Sequence, residues 1–221
     1  MVRALVLALV TLFGTVAAEA GDQELCTLPG SNATLRIGAC TRLIVLDPTF
    51  AKAYEGRGIA YYEAGDYDRA ITDLTQALGL DPKTGDSYYF RGRAYGQKGE
   101  LDRAIADLSE AIPFYPKDSG LYVSRGDIYE EKGDFDRAIA DYSKAIGLSP
   151  EHIKAHIQRG VAYMDKGELD RAIEDFTKAV AINPNYASHL YFRGIAFEKK
   201  GEIDRAIADY SEAFALNSRY F

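Results

Sequence analysis

The chain has 221 residues, with 26 Lys and Arg against 33 Asp and Glu, a formal net charge of −7, two Cys and no Trp. An acidic balance of this size argues against nucleic acid or an anionic membrane as partner, since both reward a basic surface. The apolar share is that of an ordinary globular protein.

Residues 1–20, MVRALVLALVTLFGTVAAEA, read as a secretory signal peptide. Arg3 supplies the positive start, Ala4 to Val16 the apolar stretch, and Ala18-Glu19-Ala20 the small residues that precede cleavage. The apolar run is shorter than the roughly 20 residues a membrane helix needs. No second such run follows, so the mature chain, from Gly21, is expected to be periplasmic or secreted and not inserted in a membrane. Cleavage removes one base and one acid and leaves the net charge unchanged.

Residues 21–50 form a cap. Within it ATLRIGACTRLIVL (Ala33–Leu46), followed by Asp47-Pro48, reads as one amphipathic helix without a partner, capped by Ser31 or Asn32. Cys26 and Cys40, an even pair in an exported chain, are expected to form a disulfide that staples the preceding segment to this helix. Closing that loop stabilises by about 3 kcal/mol on the chain-entropy model. A metal site made from the pair lacks a nearby His. The sequon Asn32-Ala33-Thr34 is read as chance.

From Ala51 one phrase returns every 34 residues: GDYDRAITDLTQALGLDP at Gly65, GELDRAIADLSEAIPFYP at Gly99, GDFDRAIADYSKAIGLSP at Gly133, GELDRAIEDFTKAVAINP at Gly167 and GEIDRAIADYSEAFALNS at Gly201. A fixed period of this length marks a solenoid. The units are 51–84, 85–118, 119–152, 153–186 and 187–221. Upstream of each phrase lies a second amphipathic piece (YEGRGIAYYEA, YYFRGRAYGQK, YVSRGDIYEEK, HIQRGVAYMDK, LYFRGIAFEKK), so each unit is a helical hairpin. The recurring Gly stops the first helix, acidic residues open the second, and Pro82, Pro116, Pro150 and Pro184 mark its exit. Pro113 stands where other units have Gly or Ala and should end that second helix early. The mid-helix glycines 58, 92, 126, 160 and 194 are expected to face Ala70, Ala104, Ala138, Ala172 and Ala206, letting the backbones approach.

These residues resemble the tetratricopeptide repeat (TPR) over Ala51–Tyr220: an aromatic, Gly and Tyr on the first helix, then Ala, an aromatic or Leu, Ala and Pro on the second. The cap resembles that of small exported repeat proteins of Gram-negative bacteria. The resemblance implies an all-α fold, a right-handed superhelix of five helix-turn-helix repeats with an N-terminal half-repeat. It departs from the family in the Arg before each mid-helix Gly (57, 91, 125, 159 and 193), and in Ser218 where other units have Pro. Each of these Arg recurs with an Asp on the second helix (73, 107, 141, 175 and 209), which predicts one ion pair per hairpin rather than an anion-binding ladder.

Catalytic signals are weak. Ser124 is mid-helix without a nucleophile-elbow setting. His152 and His156 are one turn apart, but His156 occupies the packing place of Tyr54, Tyr88 and Tyr122, and His189 belongs to another unit. No phosphate loop appears, and neither enzyme activity nor a cofactor is expected. By resemblance the concave face is lined by the first helices, where the units differ. Tyr62, Tyr89, Arg93, Val123, Asp127, Glu130, Ile157, Val161, Met164, Tyr191 and Ile195 are the candidate partner-binding residues. With more acids than bases among the apolar positions, the lining suits a peptide with apolar anchors and some basic character. The family's carboxylate-gripping set of Lys, Asn and Arg fits no register. The expected function is an exported scaffold that binds a protein or peptide segment. Its alternative is a self-associating structural protein using the flank of the last unit, where Ile207, Tyr210, Phe214 and Leu216 lie uncovered unless Tyr220 and Phe221 fold back.

Overall fold

The computed structural model describes residues 20–218, which form two compact units divided between Phe114 and Tyr115. The signal segment, Ala20 excepted, and Tyr220 and Phe221 lie outside the described residues. All regular structure among the described residues is helical. Unit 1 holds a helical stretch α1 over residues 20–27, then α2 (Ala33–Leu46), α3 (Ala51–Glu63), α4 (Tyr67–Leu80), α5 (Gly85–Gln97) and α6 (Leu101–Ala111). Unit 2 holds α7 (Ser119–Glu131), α8 (Phe135–Leu148), α9 (Ile153–Asp165), α10 (Leu169–Ile182), α11 (Ala187–Lys200) and α12 (Ile203–Ser218).

The helix ends follow from the repeated residues. At the α7–α8 turn Gly133 takes φ 78°, which an L side chain rarely adopts, and the Asp134 N–H bonds back to the Tyr129 carbonyl at 2.8 Å. The Asp134 carboxylate then accepts from the Arg137 N–H and caps α8. The α6 helix has 11 residues where α4 and α8 have 14, because Pro113 supplies no N–H to continue it. Asn32 caps α2, its side chain accepting from Thr34 and Leu35 N–H. Cys26 and Cys40 are joined by a disulfide and wholly buried with Ala39, Leu43 and Ala53, so α1 is stapled over the core end of α2 and α3.

Within unit 1, α3 packs on α5 while α4 does not touch α6. Within unit 2, α7 packs on α9 and α9 on α11, with no such contact between α8, α10 and α12. The first helices of each unit therefore converge and line its inner wall.

The mid-helix glycines do not face the alanines. A Cβ on Gly58 would sit 2.7 Å from Leu74 Cγ, and one on Gly126 2.6 Å from Tyr142 Cε1. Gly160 and Gly194 meet Phe176 and Tyr210 in the same way, and Gly92 meets Leu108. The notch is filled by a large apolar or aromatic residue of the second helix, Leu, Tyr or Phe. The alanines serve the contact between hairpins: Ala70 shares a buried cluster with Leu74 and Ala94, and Ala172 one with Phe176 and Ala196. Gly126→Ala should therefore destabilise by about 1–3 kcal/mol through overpacking. Gly147→Ala, with nothing within 4 Å, should instead gain up to about 1 kcal/mol of helix propensity. Thermal melts that move in the same direction for both would refute the notch.

Candidate functional site

The recurring Arg and Asp are paired within each hairpin. In all five, Nε and Nη2 of the Arg donate to the two carboxylate oxygens at 2.6–2.9 Å. The Asp side chains are buried. Arg57 also donates to Thr41 of the cap helix α2, and Arg91 and Arg159 to Thr75 and Ser143 of the preceding hairpin. Fork-to-fork pairing of this kind leaves no free charge for an anionic ligand. The ladder is a structural spine.

On the inner wall of unit 1, Tyr62, Tyr89 and Arg93 come together. The Arg93 guanidinium lies 5.2 Å from the Tyr62 ring centre and 5.6 Å from that of Tyr89, and it donates to the Tyr89 hydroxyl at 3.3 Å. Phe90 packs edge-on against both rings. At the cap end a pocket of about 480 Å³ is lined by Lys52, Glu55, Ile59, Glu63, Asp86 and Phe90, among others. Its charges are matched locally: Lys52 donates to Glu55 at 2.6 Å, Ser87 donates to the same carboxylate, and Arg36 donates to Glu63. Arg36 is buried and stands one period before the buried Ala70.

Unit 2 treats the candidates differently. Val123 and Ile157 are buried, Val161, Met164 and Ile195 half-buried, and Tyr191 exposed. Tyr191 lies at the far edge with Tyr210, Phe214 and Leu216, in a groove of about 900 Å³ beside the last helix. Asp127 and Glu130 meet over a residue that sequence reasoning did not single out. Tyr142, held in the Gly126 notch, brings its hydroxyl to 2.6 Å from Glu130 and 3.0 Å from Asp127. Lys154 donates to the other Asp127 oxygen at 2.7 Å. Burial lifts the Glu130 carboxyl above the usual range against the hydrogen bond from Tyr142, and Asp127 and Asp165 push it the same way. Burial likewise raises the Tyr142 hydroxyl, helped by Glu130. The same pairing recurs 68 residues on, where Tyr210 donates to Glu198 at 2.6 Å. The second-helix position that holds Tyr in these hairpins holds Leu or Phe in the other three, and no Glu stands opposite. That coincidence was the available signal.

The residues weighed for catalysis are occupied. Ser124 donates to the Gly120 carbonyl within its own helix. His152 caps α9 by accepting from the Ala155 N–H. His156 is buried, with Nδ1 2.9 Å from Asp175 and Nε2 2.9 Å from the Pro150 carbonyl. Among the described residues no group of three His, Cys, Asp or Glu is placed to hold a metal, and no helix is long and apolar enough to cross a membrane.

Family models for the tetratricopeptide repeat match residues 55–119 and 153–186, and one for the TPR repeat matches 126–167. Solved structures with similar folds include MamA, at 26% identity and TM-score 0.70, with 74% of this chain and 95% of that one covered. MamA from Desulfovibrio magneticus RS-1 aligns at 18% identity and TM-score 0.72, covering 76% and 96%. YrrB, described as a TPR protein with an unusual peptide-binding site, aligns at 21% identity and TM-score 0.69, covering 80% and 92%. No curated protein matches the chain. The 34-residue period, the helical hairpins and the matching models lead to one family, and the chain belongs to the tetratricopeptide repeat proteins.

Proposed function

We propose that the chain is an exported scaffold that docks a protein or peptide segment on its first-helix walls. The observation that carries this reading is the contrast between the two helix types. The second helices repeat the same residues for packing and ion pairing. The first helices present side chains that differ from hairpin to hairpin: an aromatic-guanidinium cluster in unit 1, a tyrosine-carboxylate cluster and apolar Val161, Met164 and Ile195 in unit 2. Variation on a wall held rigid from behind is what selective recognition of an irregular partner needs. The peptide-binding description of YrrB belongs to that protein and supports this reading by fold only. Export rests on the leader residues and is consistent with the buried disulfide.

A second reading rests on the last hairpin. Ile203, Ile207 and Phe214 are 51%, 56% and 75% exposed on α12. The equivalent of Ile207 one period earlier, Ile173, is partly buried against the next first helix. A second copy of the chain seated on that flank would cover the stripe.

One experiment separates the two. The mature chain, immobilised, captures proteins from an envelope fraction, and its mass is followed by sedimentation. Tyr89→Ala with Met164→Ala should abolish capture and leave the mass unchanged. Ile207→Glu with Phe214→Glu should leave capture intact. A change of mass in the second variant together with loss of capture would favour the self-associating protein. Tyr191 is avoided because it borders both surfaces.

A further inference from the structure

Among the described residues every arginine except Arg93 lies within ion-pair distance of a carboxylate. Five of these form the spine, five are pinned at the starts of the second helices, and Arg36 and Arg42 hold the cap. Arg93 alone bonds only a phenol. The place it fills belongs to the varying wall: one period earlier stands Ile59, and later Asp127, Val161 and Ile195.

Arg93 is also held ready. Its guanidinium lies between the rings of Tyr62 and Tyr89, and Tyr62 is fixed by Tyr67 and Phe90 at ring-centre distances of 5.7 and 5.4 Å. Arginine loses rotamer freedom when ordered, and two rings that hold it beforehand remove much of that cost from binding. One of its five N–H donors is spent on the Tyr89 hydroxyl, and a planar acceptor can take others. The acids nearest in the same wall do not compete. Glu55 is answered by Lys52 and Ser87, and Glu63 by Arg36. The half-buried acids of unit 2, Asp127 and Glu130, are engaged by Lys154 and Tyr142. Arg93 is thus a wall cation without a carboxylate partner, although the lining as a whole counts more acids than bases.

Building on the docking function, we propose that Arg93, clamped by Tyr62 and Tyr89, is the site that reads a carboxylate of the partner segment, with an apolar or aromatic neighbour of that carboxylate resting on Tyr62, Phe90 and Ile59. The expectation of a basic partner drawn from charge counting is reversed by this reading. The carboxylate comes from an acidic side chain or from a free C-terminus.

The test is affinity selection by the full mature chain from a synthetic library of random ten-residue peptides, half made as free acids and half as C-terminal amides. Selected peptides should carry Asp or Glu beside an apolar residue in both halves if a side chain is read. They should come from the free acids alone if a C-terminus is read. Their affinity should fall about tenfold or more in Arg93→Gln, the scale of a lost charge-assisted hydrogen bond, and less in Arg93→Lys. It should weaken with added salt. Because Arg93 has only ring and hydroxyl contacts to lose and no ion pair, Arg93→Gln should melt within about 4 °C of the parent, which keeps a binding loss from being a folding loss. Peptides selected without a carboxylate, or bound equally by Arg93→Gln, overturn the proposal. If such peptides are still lost in Val161→Ser with Met164→Ala, docking on the walls stands and only the Arg93 site fails. If no peptide is selected, both fail.

Discussion

Asp175→Ala is expected to be the most damaging single substitution in the spine. Asp175 is 2% exposed and holds two partners, the Arg159 fork at 2.8 Å and His156 Nδ1 at 2.9 Å. Its removal leaves the guanidinium with only the Ser143 hydroxyl and strands Nδ1 of a buried imidazole, and breaking a buried pair from one side costs about 3–5 kcal/mol. Neutralising the whole group is far milder. The triple change His156→Tyr, Arg159→Met, Asp175→Leu places apolar groups at the pair and a Tyr where Tyr54, Tyr88 and Tyr122 stand. Tyr122 shows that a phenol at that place reaches the same exit-loop carbonyl, donating to Pro116. Hydrogen exchange should show α9 and α10 opening early in Asp175→Ala and staying protected in the triple variant. A repeat array melts locally, and a global midpoint would dilute the effect. The pH dependence follows from the carboxyl. Burial alone would raise it, but hydrogen bonds from Arg159 and then His156 outweigh burial and hold it below the usual carboxylate range. Its contribution is therefore complete above the unfolded value, about 3.9, and is lost as the pH falls below that toward the folded value. Equal exchange rates in the single and triple variants would show that the trio contributes no more than its volume.

What was legible in the sequence was whatever repeats. The period, the glycine stops, the acidic helix starts and the Arg–Asp pairs recur five times, and recurrence separates a structural demand from an accident. The early end of α6 was legible too, because Pro113 breaks a pattern that four other hairpins keep. The partner of the mid-helix glycines was misread, although the correct answer was implied by the ion pairs. The Arg57–Asp73 pair sets the height at which the two helices meet, so Gly58 had to lie nearer Asp73 and its neighbour Leu74 than Ala70, almost a turn away. Placing Gly against Ala treated the hairpin as a matter of backbone approach, when the space is taken by a large side chain passing through. The inner-wall chemistry was hidden for a related reason. Tyr142 belongs to a second helix and enters the wall only through the Gly126 notch, so a list of first-helix residues omits it. Arg93 was named among the wall residues, but its lack of a carboxylate emerges only after every other described arginine has found one in space. Val123 and Ile157 were counted on the wall by register, and both are buried.

Loss of the Cys26–Cys40 bond should have the largest effect at the other end of the chain. The two sulfurs sit in the cap core, with Leu25, Ile44 and Phe50 packed around it. The α1 segment is also tied by Asp22 to Arg42, whose guanidinium stands in solvent and therefore holds it weakly. A closed loop of this separation stabilises by about 3 kcal/mol, so Cys26→Ala with Cys40→Ala should release α1 and let α2 and α3 exchange faster. Unit 2 should stay protected. Gly56 provides an independent check, because a Cβ there would lie 2.6 Å from the Cys26 carbonyl and 2.9 Å from its sulfur. Gly56→Ala should loosen the same three helices with the disulfide intact, by forcing the staple away from α3. Without the staple, the apolar end of the first hairpin would open to water, and a reducing compartment would impose that state on every molecule. Chain recovered from an envelope fraction should therefore contain no reactive thiol until it is unfolded. Free thiols in the native chain at that location would contradict both the staple and the exported site of action, whereas thiols appearing only on cytosolic expression without residues 1–20 would support them.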